Sequence, residues 1–239
     1  MFTQFAPLEC FPIYTYGFIC FNRRMPSRAI PFINGEYYHI FNRGVAKMPI
    51  YLNAFNYRQF INTVLYYQIE GPKPRFSLFK IQPIMLDDRE KLVDIICYCL
   101  MSNHFHFLLR QAKNGGITEF VGKLSNSYTK YFNIKNKRVG PLLQGEFKSV
   151  YIESNEQLIH LSRYIHLNPL IGYTTKDLRT YRWSSYAEYL GIDKNNICSK
   201  DIILEQFSSQ NDYEQFVLDQ VGYARELDFI KHKLLDFGE

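Results

Sequence analysis

The chain has no apolar run long enough to cross a membrane as a helix. Its most hydrophobic early stretch, Cys10 to Phe21, is short and broken by Pro12 and Gly17, and Arg23 and Arg24 follow it instead of preceding it as in a secretory leader. Zinc-type cysteine spacing is also missing. The five cysteines, Cys10, Cys20, Cys97, Cys99 and Cys198, form an odd set; Cys97 and Cys99 flank one residue on a predicted strand, sharing a face that does not favour a bridge. Buried free thiols in a reducing cytosol follow, and with them a cytoplasmic protein that has no membrane partner. Only one tryptophan occurs, and neither an internal repeat nor a low-complexity run is visible. Acidic residues thin out locally. Between Phe120 and Phe147 the sole acid is Glu146, against Lys123, Lys130, Lys135, Lys137 and Arg138.

What is present fits a globular protein with one main domain. Of its 239 residues 46% are hydrophobic and 21% charged, and a net charge of +5 with a pI near 8.8 suits a polyanionic partner. Aromatics reach 17%, enough both to fill a core and to stack on bases. Residues 1–29 lack useful periodicity and read as an N-terminal extension, with Met25 as an alternative start; residues 192–239 read as a small helical extension.

Between them the chain reads as α+β. Gly35 to Arg43 alternates as a strand; Asn53 caps a helix that stops before Gly71; a proline-rich loop follows; Leu92 to Met101 and His104 to Gln111 form a hairpin. Thr118 is expected to cap a long basic helix to about Asn136. Glu146 to Ile152 fits a fourth strand, and Ser154 with Gln157 opens a helix expected to stop at Pro169. On the hairpin, His104 and His106 share a face. Such a pair fits a metal site or an ordinary polar sheet face equally well. His39 on the first strand could face the same cavity as these two, although a third histidine on a neighbouring strand is more often structural. On the last helix His160, Tyr164 and Asn168 recur every four residues and line up on one side.

Several motifs in one order say more. Tyr37-Tyr-His-Ile-Phe-Asn-Arg-Gly44, Met101-Ser-Asn-His-Phe-His106, Ser127-Tyr-Thr-Lys-Tyr-Phe-Asn133, Arg163-Tyr-Ile-His-Leu-Asn-Pro169 and Trp183-Ser-Ser-Tyr186 resemble, over residues 30–191, the single-tyrosine HUH transposases related to insertion sequence 200. The branch they look most like is that of the REP-associated tyrosine transposases. The resemblance implies a ferredoxin-like HUH domain with a central antiparallel sheet and helices packed on it. It also implies DNA cleavage and rejoining on single-stranded or hairpin DNA through a 5′-phosphotyrosine. In that pattern Tyr164 is the nucleophile, and His104, His106 and Asn168 hold Mg²⁺ or Mn²⁺. Arg43, Lys123, Lys130, Lys135, Lys137, Arg138 and Lys148 are candidates for holding DNA, and both a monomer and a homodimer fit the family. One departure stands out: Gln144-Gly-Glu-Phe147 carries Glu146 where the branch has arginine. That reversal keeps open a noncatalytic hairpin-binding protein; a phosphodiesterase using water as nucleophile is a third reading.

Overall fold

Alternation of apolar side chains sets up a sheet with two buried faces. In the computed structural model, which describes residues 31–71, 76 and 90–222, the strands are β1 (Tyr37–Arg43), β2 (Val93–Met101), β3 (His104–Gln111) and β4 (Lys148–Ile152). They pair antiparallel throughout in the order β2-β3-β1-β4. Helix α1 (Ala54–Gln68) joins β1 to β2, and α2 (Gly116–Lys135) joins β3 to β4, giving the expected ferredoxin-like βαββαβ arrangement. The proposed start at Met25, the N-terminal extension, most of the proline-rich loop and the chain beyond residue 222 lie outside the described residues.

One sheet face carries Tyr38, Ile40, Phe105, Phe107 and Leu109 and packs under α1 and α2 through Phe60, Val64, Phe120, Leu124 and Tyr128. The opposite face carries Cys97, Cys99, Met101 and Leu108 and packs under α3 (Asn155–Ile171) through Leu158, Leu161 and Ile165. The register slips between Ile95 and Cys97, so that Ile95 faces the first core while Ile96 and Cys97 face the second. Cys97 and Cys99 therefore share the α3 side as buried free thiols, whose pKa burial pushes up. The short helices α4 (Tyr186–Tyr189), α5 (Asp201–Leu204) and α6 (Gln210–Leu218) add Tyr186, Tyr189, Ile203, Tyr213 and Val217 to this second core.

Two helix boundaries differ from the expected ones. Helix α2 begins at Gly116, not after Thr118: Gly115 takes a left-handed φ of 73°, and a Cβ on Gly116 would lie 2.1 Å from the Leu92 carbonyl oxygen, so only glycine lets the helix start against β2. Helix α3 runs through Pro169 to Ile171. The ring forfeits the bond to the Ile165 carbonyl, but burial of Pro169 and Leu170 and the bonds Gly172 N to Asn168 O (2.9 Å) and Thr174 N to Pro169 O (2.8 Å) hold the last turn. Its entry is as expected, with the Ser154 hydroxyl accepting from Gln157 N at 3.2 Å, while the Gln157 side chain accepts from Glu153 N at 2.9 Å, one residue earlier than in a standard capping box. At α1, Asn53 caps as expected, accepting from Phe55 and Asn56 N. Strand β4 begins at Lys148, two residues later than expected, after Gly145 with φ 63°.

Candidate active site

The β3 strand brings His104 and His106 to the α3 side because Phe105 and Phe107 are taken up by the opposite core. From above, α3 supplies Tyr164 and Asn168, one turn apart, along the edge of the same sheet-facing stripe that buries Leu161 and Ile165. The phenol ring of Tyr164 stands edge-on to His106, with centroids 5.7 Å apart, and His104 lies 5.0 Å from His106. The Asn168 side chain lies near enough to His104 to raise its pKa, and its amide nitrogen donates to the Tyr164 carbonyl at 2.8 Å, while His104 Nδ1 lies 2.6 Å from Asn103 Oδ1. The bond to the Tyr164 carbonyl leaves the Asn168 amide oxygen as the group available to face His104.

A further imidazole joins them. His39, read from sequence as more often structural, is buried on β1 with its Nε2 2.9 Å from His106 Nδ1. The signal for it was its register: β1 and β3 pair so that His39, Phe41 and Arg43 fall opposite Leu108, His106 and His104, on one face. His160, by contrast, turns away from the site to Arg163 (2.7 Å) and the Phe216 ring.

The site is held neutral. Burial pushes His39 down to about 3 and His104 to about 4; for His104 the Asn168 side chain opposes the shift and the Arg43 charge adds to it. Burial, then the neighbouring His39 and His104, carries His106 well below its ordinary value. Neutral imidazoles are what a metal ligand requires. Among the described residues no group of three or more His, Cys, Asp or Glu side chains could hold an ion alone, so a cation here would need the Asn168 oxygen and outside oxygens to complete its shell. The donor set of two imidazoles and one amide fits Mg²⁺ or Mn²⁺ with open positions.

The candidate DNA residues divide. Arg43 lies beside His104 in the β1–β3 register, its Nε donating to the Gln144 side chain, and Lys148 is exposed at the start of edge strand β4. The basic residues of α2 lie on the other side of the sheet. Lys123 is paired with Glu119 at 2.6 Å, and Arg138 donates to Asn133 and to the Gly140 and Pro141 carbonyls, ordering the loop that follows. Lys135 sits over the Phe55 ring at 3.7 Å, whereas no acid among the described residues engages Lys130 or Lys137.

Residues 85–168 match the family model described as Transposase IS200 like. This span is IS200-like. The motif resemblance is thereby borne out, and the matched span includes His104, His106, Tyr164 and Asn168, while His39 and Arg43 precede it. A solved structure of a REP-associated tyrosine transposase bound to a REP hairpin is similar at 12% identity over 72% of this chain and 90% of that one, with a TM-score of 0.49. Among curated proteins none matches. No helix among the described residues is long and apolar enough to cross a membrane.

Proposed function

We propose that the chain is a cytoplasmic DNA strand transferase that cuts and rejoins single-stranded, hairpin-forming DNA, with Tyr164 as nucleophile. The observation that carries this is the convergence of Tyr164 and Asn168 from α3 on His104 and His106 from β3, with the Tyr164 and His106 rings 5.7 Å apart. The IS200-like span supports the same reading.

His104, His106 and Asn168 would hold a Mg²⁺ or Mn²⁺ ion. A bound divalent cation supplies positive charge to the nonbridging oxygens of the scissile phosphate and orients it. The Tyr164 oxygen attacks phosphorus as its phenolic proton leaves to solvent; the bond to the 3′ oxygen breaks, that oxygen takes up a proton, and a 5′-phosphotyrosine remains. Attack by another 3′ hydroxyl reverses the sequence and rejoins a strand. Arg43, next to His104, would steady the phosphate. Tyr164 and Asn168 meet the histidines of their own chain, an arrangement compatible with a monomer.

DNA beyond the cut has a path. The turn bearing Asn103 is tied to Lys47 O (3.1 Å), and Ile50 and Tyr51 donate to Ser102 O, so the tip of α1 and the end of α2 adjoin the site end of the sheet. Charges on the helix layer are segregated. Glu70 with Lys113 and Glu119 with Lys123 neutralise its far end, while Lys130, Lys135, Lys137 and Arg138 gather at this one. Such a basic end, with Phe55 beside it, suits a single strand.

The test is covalent trapping. With labelled hairpin DNA and Mn²⁺, the wild-type chain should give a protein–DNA adduct that survives denaturation, and Tyr164→Phe should bind DNA without forming it. Cutting without an adduct assigns the nucleophile to water; binding without cutting assigns the chain to the noncatalytic hairpin binders, the reading that Glu146 keeps open.

A further inference from the structure

The His39–His106 contact is more than two buried groups satisfying each other. The ring planes are tilted by only 20°, and a centroid separation of 5.1 Å is what two imidazoles give when joined nitrogen to nitrogen in nearly one plane. A single proton lies between His39 Nε2 and His106 Nδ1, and its side decides what His106 can do. With the proton on His106 Nδ1, His39 accepts, and the in-plane lone pair of His106 Nε2 points away from β1. With the proton on His39, His106 must carry its own proton on Nε2, and that nitrogen can no longer ligate.

His39 is well placed to hold the first arrangement. It is 3% exposed, fixed by the sheet, stacked on Phe41 at 4.8 Å, and met edge-on by Tyr164 at 6.3 Å. Metal-bound histidines are commonly oriented by an acceptor on the second nitrogen, most often a carboxylate or a carbonyl. The chain has no acid between Tyr37 and Ile69, so no carboxylate on β1 can serve.

We infer that His39 is the positioning residue for His106: a neutral imidazole acceptor that fixes the ligand's tautomer and ring plane, so that its Nε2 lone pair faces the cation. This rests on the proposed metal site. It also means that the tyrosine side of the site is aligned from β1 as well as from β3, since the His39 and His106 rings both meet the Tyr164 ring edge-on.

Two measurements test it on the full chain. Long-range proton–nitrogen NMR of the metal-free protein reads the tautomer directly: His106 should be protonated at Nδ1 in wild type and should lose that preference in His39→Leu, which keeps bulk but removes the acceptor. Calorimetric titration with Mn²⁺ should show binding about 10–100-fold weaker in His39→Leu, while His39→Gln, whose side-chain oxygen can take the place of Nε2, should stay close to wild type. Far-UV circular dichroism and thermal unfolding identify a variant that has failed to fold; His39→Gln and the wild-type tautomer then still decide. An Nε2-protonated His106 in wild type overturns the inference, as does Mn²⁺ binding by folded His39→Leu at wild-type strength. In that last case, His106→Ala separates the two readings: loss of Mn²⁺ binding there leaves the metal site standing without His39, whereas unchanged binding removes the metal site as well.

Discussion

Acid should loosen the helix that carries Tyr164, and His166 gives the size of the effect. This residue is fully buried between Tyr164 and Asn168 in sequence but faces inward, with Nδ1 2.8 Å from the Tyr213 hydroxyl and Nε2 2.8 Å from Ser185 Oγ. Burial pushes it down to about 3 from 6.5. Between those values the unfolded chain binds a proton that the folded chain does not. Its contribution to stability is therefore complete above 6.5 and is lost at about 1.4 kcal/mol per pH unit as pH falls. In His166→Phe a ring still fills the space among Tyr186, Tyr189 and Tyr213, Ser185 keeps Tyr98 and Tyr213 keeps Ser162, so the cost at neutral pH is two hydrogen bonds, about 1–3 kcal/mol. Urea unfolding of metal-free protein should show the wild-type advantage shrinking by about 2 kcal/mol between pH 6.5 and about pH 5, because the variant lacks the titrating group. Parallel stability curves over that interval would falsify the assignment of His166 as a buried neutral imidazole.

Two more outcomes follow from packing and charge. Gly116→Ala pushes a Cβ to within 2.1 Å of the Leu92 carbonyl oxygen and should destabilise the chain by about 1–3 kcal/mol in chemical denaturation; an unchanged midpoint means the helix entry is not as tight as described. Lys130→Ala and Lys137→Ala should each flatten the salt dependence of single-strand binding by about 0.7 in log–log slope if each meets a phosphate, while Lys123→Ala, already paired with Glu119, should change it little. Equal effects at all three positions contradict the charge segregation.

The elements most legible in the sequence were those whose cause is local. Asn53 and Ser154 cap helices wherever they are placed, and the alternation around His104 and His106 determines which side chains share a face. Tertiary contact decided the rest. The start of α2 depends on the Leu92 carbonyl just before β2, the passage of α3 through Pro169 depends on burial of its last turn, and the partnership of His39 with His106 exists only in the β1–β3 register. The helix spacing that aligned His160 with Tyr164 and Asn168 was correct as geometry, yet Arg163 and Phe216 draw His160 aside. Similarly, a run of lysines reveals charge but not which side of the sheet will carry it.

The division of labour along α3 has an evolutionary consequence. Ile165, His166 and Leu167 are buried and anchor the helix, while Tyr164 is 39% exposed beside them. Foldedness therefore places little constraint on the ring proposed as nucleophile. Losing its hydroxyl needs one substitution to phenylalanine and leaves the anchoring residues in place, so a lineage could abandon the proposed chemistry in a single step and still inherit an intact scaffold.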